Sequence, residues 1–267
     1  MVSPEPDLRA GDGDEALSLD ALTADIAVFQ RTRGHRFSSD DVVTAWAAMQ
    51  VCPSPARVLD LGCGLGSVLL HLAWSAPAST LVGIEVQDGS FALLERNIAH
   101  NGLGDRVRVH HGDLREPDMI AALDGPFDLV TGTPPYFPVD TATRATDPQR
   151  ASARIEHRGG IEAYVAAAAQ VLAADGWFVV CGDSDASGRL ERSAAAAELV
   201  VCRRWVVVPR AGRPPLFSVW ALRHAAVTHG GPLERELVLR DHAGERTDDA
   251  KMIRAFSGFP ERRAIAE

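Results

Sequence analysis

Arg57-Val58-Leu59-Asp60-Leu61-Gly62-Cys63-Gly64-Leu65-Gly66 is the stretch of sequence that decides the fold of this chain. Val58–Leu61 predict a buried strand, and the three alternate glycines that follow predict a tight turn that opens a helix. Glycine also lets the backbone approach a bound molecule at positions where a Cβ atom would collide with it. The stretch therefore predicts a strand–turn–helix unit of an α/β fold with a ligand site at the turn.

Strands and helices alternate from this stretch onward, which predicts a mostly parallel sheet with helices on both faces. The fold class is a Rossmann-like sheet of seven strands with an antiparallel edge strand. The predicted strands are 58–61, 80–85, 106–110, 127–131, 177–181, 200–208 and 216–222. The predicted helices are 41–51, 67–74, 89–100, 164–173 and 186–198.

Composition and length predict one sizeable domain, because 46% of the 267 residues are hydrophobic. We assign that domain to residues 53–267, a helical extension bordering the ligand site to residues 26–52, and an acidic, disordered tail to residues 1–25. No run of about 18 apolar residues predicts a membrane span, and no signal peptide is evident. The four scattered cysteines predict neither a metal site nor a disulfide framework. We expect a cytoplasmic protein.

The net charge of −9 argues against general affinity for nucleic acid, but the charge is unevenly distributed. Residues 1–25 contain seven acids and one arginine, whereas residues 200–231 contain five arginines and no acid. Such a cluster predicts a local arginine-rich face suited to a phosphate backbone. Solvated side chains at strand ends are the alternative. The arginines are Arg203, Arg204, Arg210, Arg213 and Arg223.

An acid stands at or just after the end of three successive predicted strands: Asp60, Glu85 and Asp113. Glu85 lies about twenty residues beyond the glycine turn, where an acid can bind both ribose hydroxyls of a nucleoside, and Asp113 can accept from an adenine amine. The GxGxG spacing differs from the GxGxxG typical of dinucleotide sites. An acid near the turn suits S-adenosylmethionine (SAM), which carries a sulfonium and an amine and leaves S-adenosylhomocysteine (SAH). The predicted SAM-binding residues are Asp60, Gly62, Cys63, Gly64, Gly66, Glu85, Val86, Asp113, Leu114 and Thr133.

The segment Thr133-Pro134-Pro135-Tyr136 follows the fourth predicted strand of this sheet, where ligands of the fold class bind. It resembles the loop of the amino-methyltransferases of the Asn/Asp-Pro-Pro-Tyr type. The resemblance implies that Thr133 and the Pro134 carbonyl accept hydrogen bonds from the target NH2 while Tyr136 stacks on the substrate. Thr133 departs from the pattern, because a hydroxyl lacks the amide carbonyl of asparagine. The structural alternative is a proline-stiffened loop with Tyr136 packed in the core.

Further segments narrow the resemblance to the bacterial tRNA(Val) anticodon-loop adenine-N6 methyltransferases. Gly34–Asp40 resembles their G-x-R-F-S-x-D entry segment, which implies that Arg36 and Phe37 lie beside the cofactor. Three later stretches are also similar, and the likeness covers roughly residues 28–250. They are Ala153–Glu156, Gly176–Val180 and Gly244–Asp248.

The resulting hypothesis is SAM-dependent methylation of adenine N6 in tRNA or another structured RNA. An adenine in folded RNA would have to be flipped out of its stack. The local arginine-rich face and Arg144, Arg150, Arg154 and Arg158 are the candidate phosphate contacts. Two alternatives remain open at this stage: a protein glutamine or small-molecule amine as acceptor, and a SAM-binding module without catalytic activity.

Overall fold

The computed structural model describes residues 16–34, 36–135, 160–227 and 231–259, and its centre is a large twisted sheet. The strands are β1 (Leu17–Ala21), β2 (Ala27–Arg31), β3 (Arg57–Leu61), β4 (Thr80–Glu85), β5 (Val107–His111), β6 (Phe127–Gly132), β7 (Leu172–Gly182), β8 (Leu199–Val208), β9 (Phe217–His224) and β10 (Leu233–Val238). The helices are α1 (Ser39–Val51), α2 (Ser67–Ser75), α3 (Asp88–His100), α4 (Pro117–Ala121), α5 (Ile161–Val171), α6 (Ser187–Ala196) and α7 (Asp248–Phe256).

The Rossmann-like fold class is confirmed, but two details of the predicted sheet are wrong. The sheet has eight strands, in the order β10-β8-β9-β7-β6-β3-β4-β5, and the extra strand is β10. The antiparallel strand is β9, and it lies inside the sheet between β7 and β8. Its six residues Phe217–Leu222 are all buried, which is the pattern of a central strand covered on both faces.

Helices cover both faces of the sheet, because alternate strand residues point to two separate hydrophobic layers. Val58, Leu81 and Leu129 pack beneath α1, α2 and α3. Leu59, Leu61 and Val130 pack on the opposite face beneath α4, α5 and α6. No helix among the described residues has the length and apolar character needed to cross a membrane.

The N-terminal part of the chain contains a β-hairpin that the sequence assignment missed. β1 pairs with β2 in antiparallel register, so residues 16–25 are ordered, contrary to the predicted tail. The extension at 26–52 is not wholly helical, because it begins with β2 and only then enters α1. Leu17 and Leu22 account for this order, since both are buried in the main core. Residues 1–15 lie outside the described ranges.

The direction of the chain changes between β3 and β6, which are neighbours in the sheet. From β3 the chain continues to β4 and β5 on one side, and then returns to β6 and β7 on the other. In open α/β sheets, ligands bind at this switch point, outside the carboxyl ends of the strands. We call that side of the sheet the carboxyl edge. The loops after β3, β4, β5 and β6 meet there.

Candidate active site

A pocket lies at the carboxyl edge, and the glycine turn after β3 contributes to its wall. Gly62 and Gly64 both have left-handed φ angles, of +61° and +57°. A Cβ atom on Gly64 would meet no protein atom within 4 Å, so this glycine leaves open space where a ligand can approach the backbone. Gly66 is different, because a Cβ there would stand 2.7 Å from Leu94 Cδ1. Gly66 lies away from the pocket wall and permits close packing of α2 against α3.

Glu85, the last residue of β4, presents a buried carboxylate to the pocket. Its Oε2 accepts a hydrogen bond from the Gly64 N–H at 2.9 Å, and its Oε1 accepts one from the Gln87 N–H at 2.7 Å. Burial raises the pKa of the Glu85 carboxyl, while these backbone donors oppose the rise. The two bonds hold the carboxylate in one orientation, and each oxygen keeps a further lone pair for a hydroxyl donor.

Asp60 lies beneath the glycine turn and not on the wall of the pocket. It is 1% exposed, and its Oδ1 accepts a hydrogen bond from the Thr131 hydroxyl at 2.8 Å. Burial raises the pKa of Asp60 to about 7, and the Thr131 bond opposes this rise. The prediction that Asp60 binds the cofactor directly therefore does not fit its position. Asp60 can influence a cation in the pocket only through its charge and through the turn above it.

Asp113 follows β5 and forms the far end of the pocket, together with Gly112 and Leu114. Arg115 holds the Asp113 carboxylate in a bidentate ion pair, with Nη2 2.6 Å from Oδ2 and Nε 2.9 Å from Oδ1. The pair orients the acid at the pocket wall, where it retains acceptor capacity for an amine. Cys63 and Val86, also predicted from the sequence, complete this part of the lining.

The loop after β6 brings the predicted amine-binding segment to the same pocket. Thr133 and Pro135 contribute to its wall, whereas Pro134 is not part of it. Tyr136 lies outside the described residues, as do Arg144, Arg150, Arg154 and Arg158. β6 is hydrogen-bonded to β3, so Thr133 and the glycine turn occupy adjacent strand ends.

The structure does not bring Arg36 and Phe37 to this pocket, where the sequence resemblance had predicted them. The Arg36 guanidinium turns to the hairpin, where it donates to Ser18 Oγ and pairs with Asp20 Oδ2 at 3.0 Å. Phe37 lines a second, apolar pocket between the hairpin, α1 and α7. Asp41, which directly follows this segment in the first turn of α1, does line the pocket at the carboxyl edge.

Tyr164 on α5 is a second lining residue that the sequence did not reveal. The side chain is buried, and its hydroxyl stands where a Cβ on Gly62 would be, at 2.1 Å. A Cβ on Gly132 would likewise stand 2.5 Å from the Tyr164 ring. The ring therefore braces the ends of β3 and β6 against each other. Ser67, Gln87 and Ser90 are further polar lining residues that the sequence analysis did not identify.

The five arginines of residues 200–231 do not form one face. Arg210 and Arg213 follow β8 at the carboxyl edge, on the same side of the sheet as the pocket. Arg223 lies near the end of antiparallel β9, opposite the start of β8, and therefore at the other edge. Arg204 pairs with Glu234 on β10, and the Arg203 side chain is exposed on the outer part of the sheet.

Comparison with known proteins gives a consistent result. A family model described as "Methyltransferase domain" matches residues 58–147. The chain is 30% identical over 175 residues to a tRNA1(Val) (adenine(37)-N6)-methyltransferase of Bacteroides thetaiotaomicron, covering 64% of this chain and 69% of that protein. It is 32% identical over 148 residues to a release factor glutamine methyltransferase of Geobacter sulfurreducens, covering 53% and 50%.

The fold also matches solved structures. A protein from Agrobacterium tumefaciens described as a predicted O-methyltransferase superposes with a TM-score of 0.63, covering 85% of this chain and all of that chain. Sequence identity is 14%, so this similarity concerns the fold alone.

Proposed function

The chain belongs to the family of the tRNA1(Val) (adenine(37)-N6)-methyltransferases, and from this premise we propose that it methylates adenine N6 in tRNA or another structured RNA. It is a SAM-dependent methyltransferase of the Rossmann-like class. The acceptor and the roles of individual residues are our proposal.

The observation that carries this proposal is the meeting of two motifs at one pocket. The glycine turn, Glu85 and Asp113 line one part of its wall, and Thr133 with Pro135 lines another. These residues fit SAM, because Gly64 leaves room at the backbone and Glu85 offers a buried, oriented carboxylate. SAM bound there supplies an electrophilic methyl group. A target amine at Thr133 would then lie next to the cofactor.

The protein's part in the reaction is binding and orientation. Direct displacement at a methyl carbon needs no covalent nucleophile, so alignment of the two reactants provides most of the catalysis. We assign Glu85 to the ribose hydroxyls and Asp113 to the adenine amine of the cofactor. We assign the Thr133 hydroxyl and the Pro134 carbonyl to the target NH2. Both oxygens would accept a hydrogen bond from this group and so orient it.

An RNA acceptor also needs a surface for phosphate groups. Arg210 and Arg213 support such a surface, since both follow β8 at the carboxyl edge. Flipping an adenine into the pocket costs a few kcal/mol, and we assign Tyr136 to the stacking that offsets this cost. The proposal places the protein in the cytoplasm with its tRNA.

A protein glutamine is the second candidate acceptor. The observation that favours it is the 32% identity to the release factor glutamine methyltransferase, together with Thr133 and the acidic net charge. A side-chain amide presents a planar NH2 as adenine does, so the same loop chemistry would serve both acceptors.

Incubation with radiolabelled SAM tests the proposal against this alternative. Total tRNA and a lysate protein fraction are offered separately, and nucleosides from the RNA are identified by mass spectrometry. We expect label in tRNA as N6-methyladenosine, with transfer that weakens as salt increases because phosphate contacts release counterions. Label confined to protein, with clean tRNA, would support the glutamine alternative. SAM binding without transfer to either would contradict both.

Two substitutions at Thr133 test its role in holding the amine. Thr133→Val keeps the shape but removes the hydroxyl, so we expect tRNA methylation to fall by about tenfold. Thr133→Asn supplies an amide carbonyl, so we expect activity equal to wild type or higher. SAH affinity, measured by calorimetry, should be unchanged in both. Equal activity in the Val variant would remove the Thr133 hydroxyl from the mechanism.

A further inference from the structure

We propose that Asp41 binds the α-ammonium group of the cofactor's methionine tail, and so contributes a ligand from the N-terminal segment to the SAM site. This inference rests on the proposed use of the pocket for SAM. Asp41 belongs to none of the motifs that identify the fold, and it is separated by the whole of α1 from the glycine turn.

The position of Asp41 in the pocket points to the tail of the cofactor. The pocket runs across the strand ends from β6 through β3 and β4 to β5. If Asp113 at the β5 end holds adenine and Glu85 on β4 holds ribose, the methionine tail extends toward β3 and β6. Asp41 is at that end, because α1 packs on β6, β7 and β9. Its neighbour there is Ser67, the first residue of α2, which also lines the pocket.

The surroundings of Asp41 leave its charge unbalanced. The residue is 6% exposed, and its Oδ2 accepts a hydrogen bond from the Ser38 N–H at 3.0 Å. The Ser67 side chain provides a second hydrogen bond. Both donors are neutral, and no basic side chain among the described residues forms an ion pair with Asp41. Its charged neighbours are acids, Asp40 and Asp60.

Burying an ionised carboxylate without a neighbouring cation costs free energy, and the raised pKa of Asp41 reflects this cost. Burial is the main cause that raises the pKa of Asp41 to about 8, and repulsion from Asp40 is the next largest. The N-terminus of α1 stabilises the negative charge by only a modest amount. A ligand ammonium would provide the missing countercharge and a charge-assisted hydrogen bond to this buried carboxylate. The simpler alternative is that Asp41 only caps α1 through its bond to Ser38.

Asp41→Asn separates these two roles. Its amide oxygen can still accept from the Ser38 N–H, so the cap is preserved while the charge is removed. Asp40→Asn is the matched control, because Asp40 lies on the same turn, is less buried than Asp41 and is absent from the pocket wall.

The measurement is calorimetric affinity for two ligands that share the adenosine part. SAH carries the amino-acid tail, whereas 5′-methylthioadenosine does not. In Asp41→Asn we expect SAH affinity to fall about tenfold or more, with 5′-methylthioadenosine affinity changed less than about twofold. Asp40→Asn should change the affinity for either ligand far less than Asp41→Asn changes the affinity for SAH. Without ligand, Asp41→Asn should melt at the wild-type temperature or above it, because a neutral amide is easier to bury.

Equal loss of affinity for both ligands would overturn the proposal, since it would indicate a distorted pocket. Unchanged affinity for SAH would overturn it as well and leave Asp41 as a helix cap. Both results differ from failure of the proposed function. If the wild-type pocket does not take the cofactor, neither ligand binds the unmodified protein.

Discussion

Gly64 and Gly66 show how one residue type serves two purposes within a single turn. Both have positive φ angles, so alanine costs about 1–2 kcal/mol of backbone strain at either position. Only at Gly66 does the new Cβ meet packed atoms, with Leu94 Cδ1 at 2.7 Å. We therefore expect Gly66→Ala to lose about 1–3 kcal/mol more in free energy of unfolding than Gly64→Ala.

For ligand binding, we expect the order of the two variants to be reversed. Gly64→Ala projects a methyl group into the pocket and should weaken SAH binding more than Gly66→Ala. Urea unfolding and calorimetry on both variants measure the two effects. If Gly64→Ala bound SAH like wild type, the ligand would not approach the turn at this position.

Residues of the site could be predicted from the sequence where they lie within a short local pattern. The glycine turn, Glu85 and Thr133 each follow a strand directly, so strand order alone brings them together. Asp41 and Tyr164 could not be predicted in this way. They sit on helices whose side chains reach the pocket only because of how α1 and α5 pack on the sheet. The predicted position of Arg36 beside the pocket does not match the structure for a related reason. Its side chain forms an ion pair with Asp20 on β1, a partner that the local pattern does not reveal.

The β-hairpin and α3 depend on each other through two asparagines one helical turn apart. Asn97 Oδ1 accepts from the Phe29 N–H at 2.7 Å, and its Nδ2 donates to the Phe29 and Leu65 carbonyls. Asn101 makes the same pair of bonds to the backbone of Ala27. The two amides thus satisfy one edge of β2 as a neighbouring strand would.

Asn97→Ala should therefore destabilise the hairpin. It leaves buried backbone groups of Phe29 and Leu65 without partners, each costing about 1–3 kcal/mol. Hydrogen exchange should accelerate across β2, and SAH affinity should fall because Leu65 belongs to the glycine turn. Asn101→Ala is the control with a smaller expected effect, since Asn101 is less buried and does not contact the turn. Equal protection of β2 in wild type and Asn97→Ala would refute this coupling.

Elements with a regular apolar pattern were predicted with nearly correct boundaries, as for β4 and α3. β10 was missed because its sequence, LERELV, places four exposed residues in the first four positions. The hairpin was missed because its five-residue strands are short, and the bonds that support it come from α3. In both cases the stabilising partner is distant in sequence, so local periodicity carries little information about it.

Across the whole molecule, two buried acids make stability depend on pH in an unusual direction. An acid with a raised pKa binds its proton more tightly in the folded state, so its stabilising contribution is lost as pH rises toward the folded pKa. Asp60 and Asp41, with pKa values of about 7 and 8, both act in this way. His71 acts oppositely, because burial lowers its pKa to about 4 and stability then rises with pH. The His71 contribution is complete above its unfolded pKa of about 6.5.

The interval from pH 6.5 to 8 therefore isolates the contribution of these buried acids to stability. Asp20 and Glu162 have lowered pKa values and change stability only in more acidic solution. We expect the melting temperature of the ligand-free protein to fall from pH 6.5 to pH 8, as measured by differential scanning calorimetry. Asp41→Asn should remove the larger part of this fall, because its pKa lies highest, and Asp60→Asn should remove a smaller part near pH 7. A wild-type melting temperature that stays constant or rises over this interval would mean that both carboxyls are ionised in the folded protein without cost, because enough water or positive charge lies beside each of them.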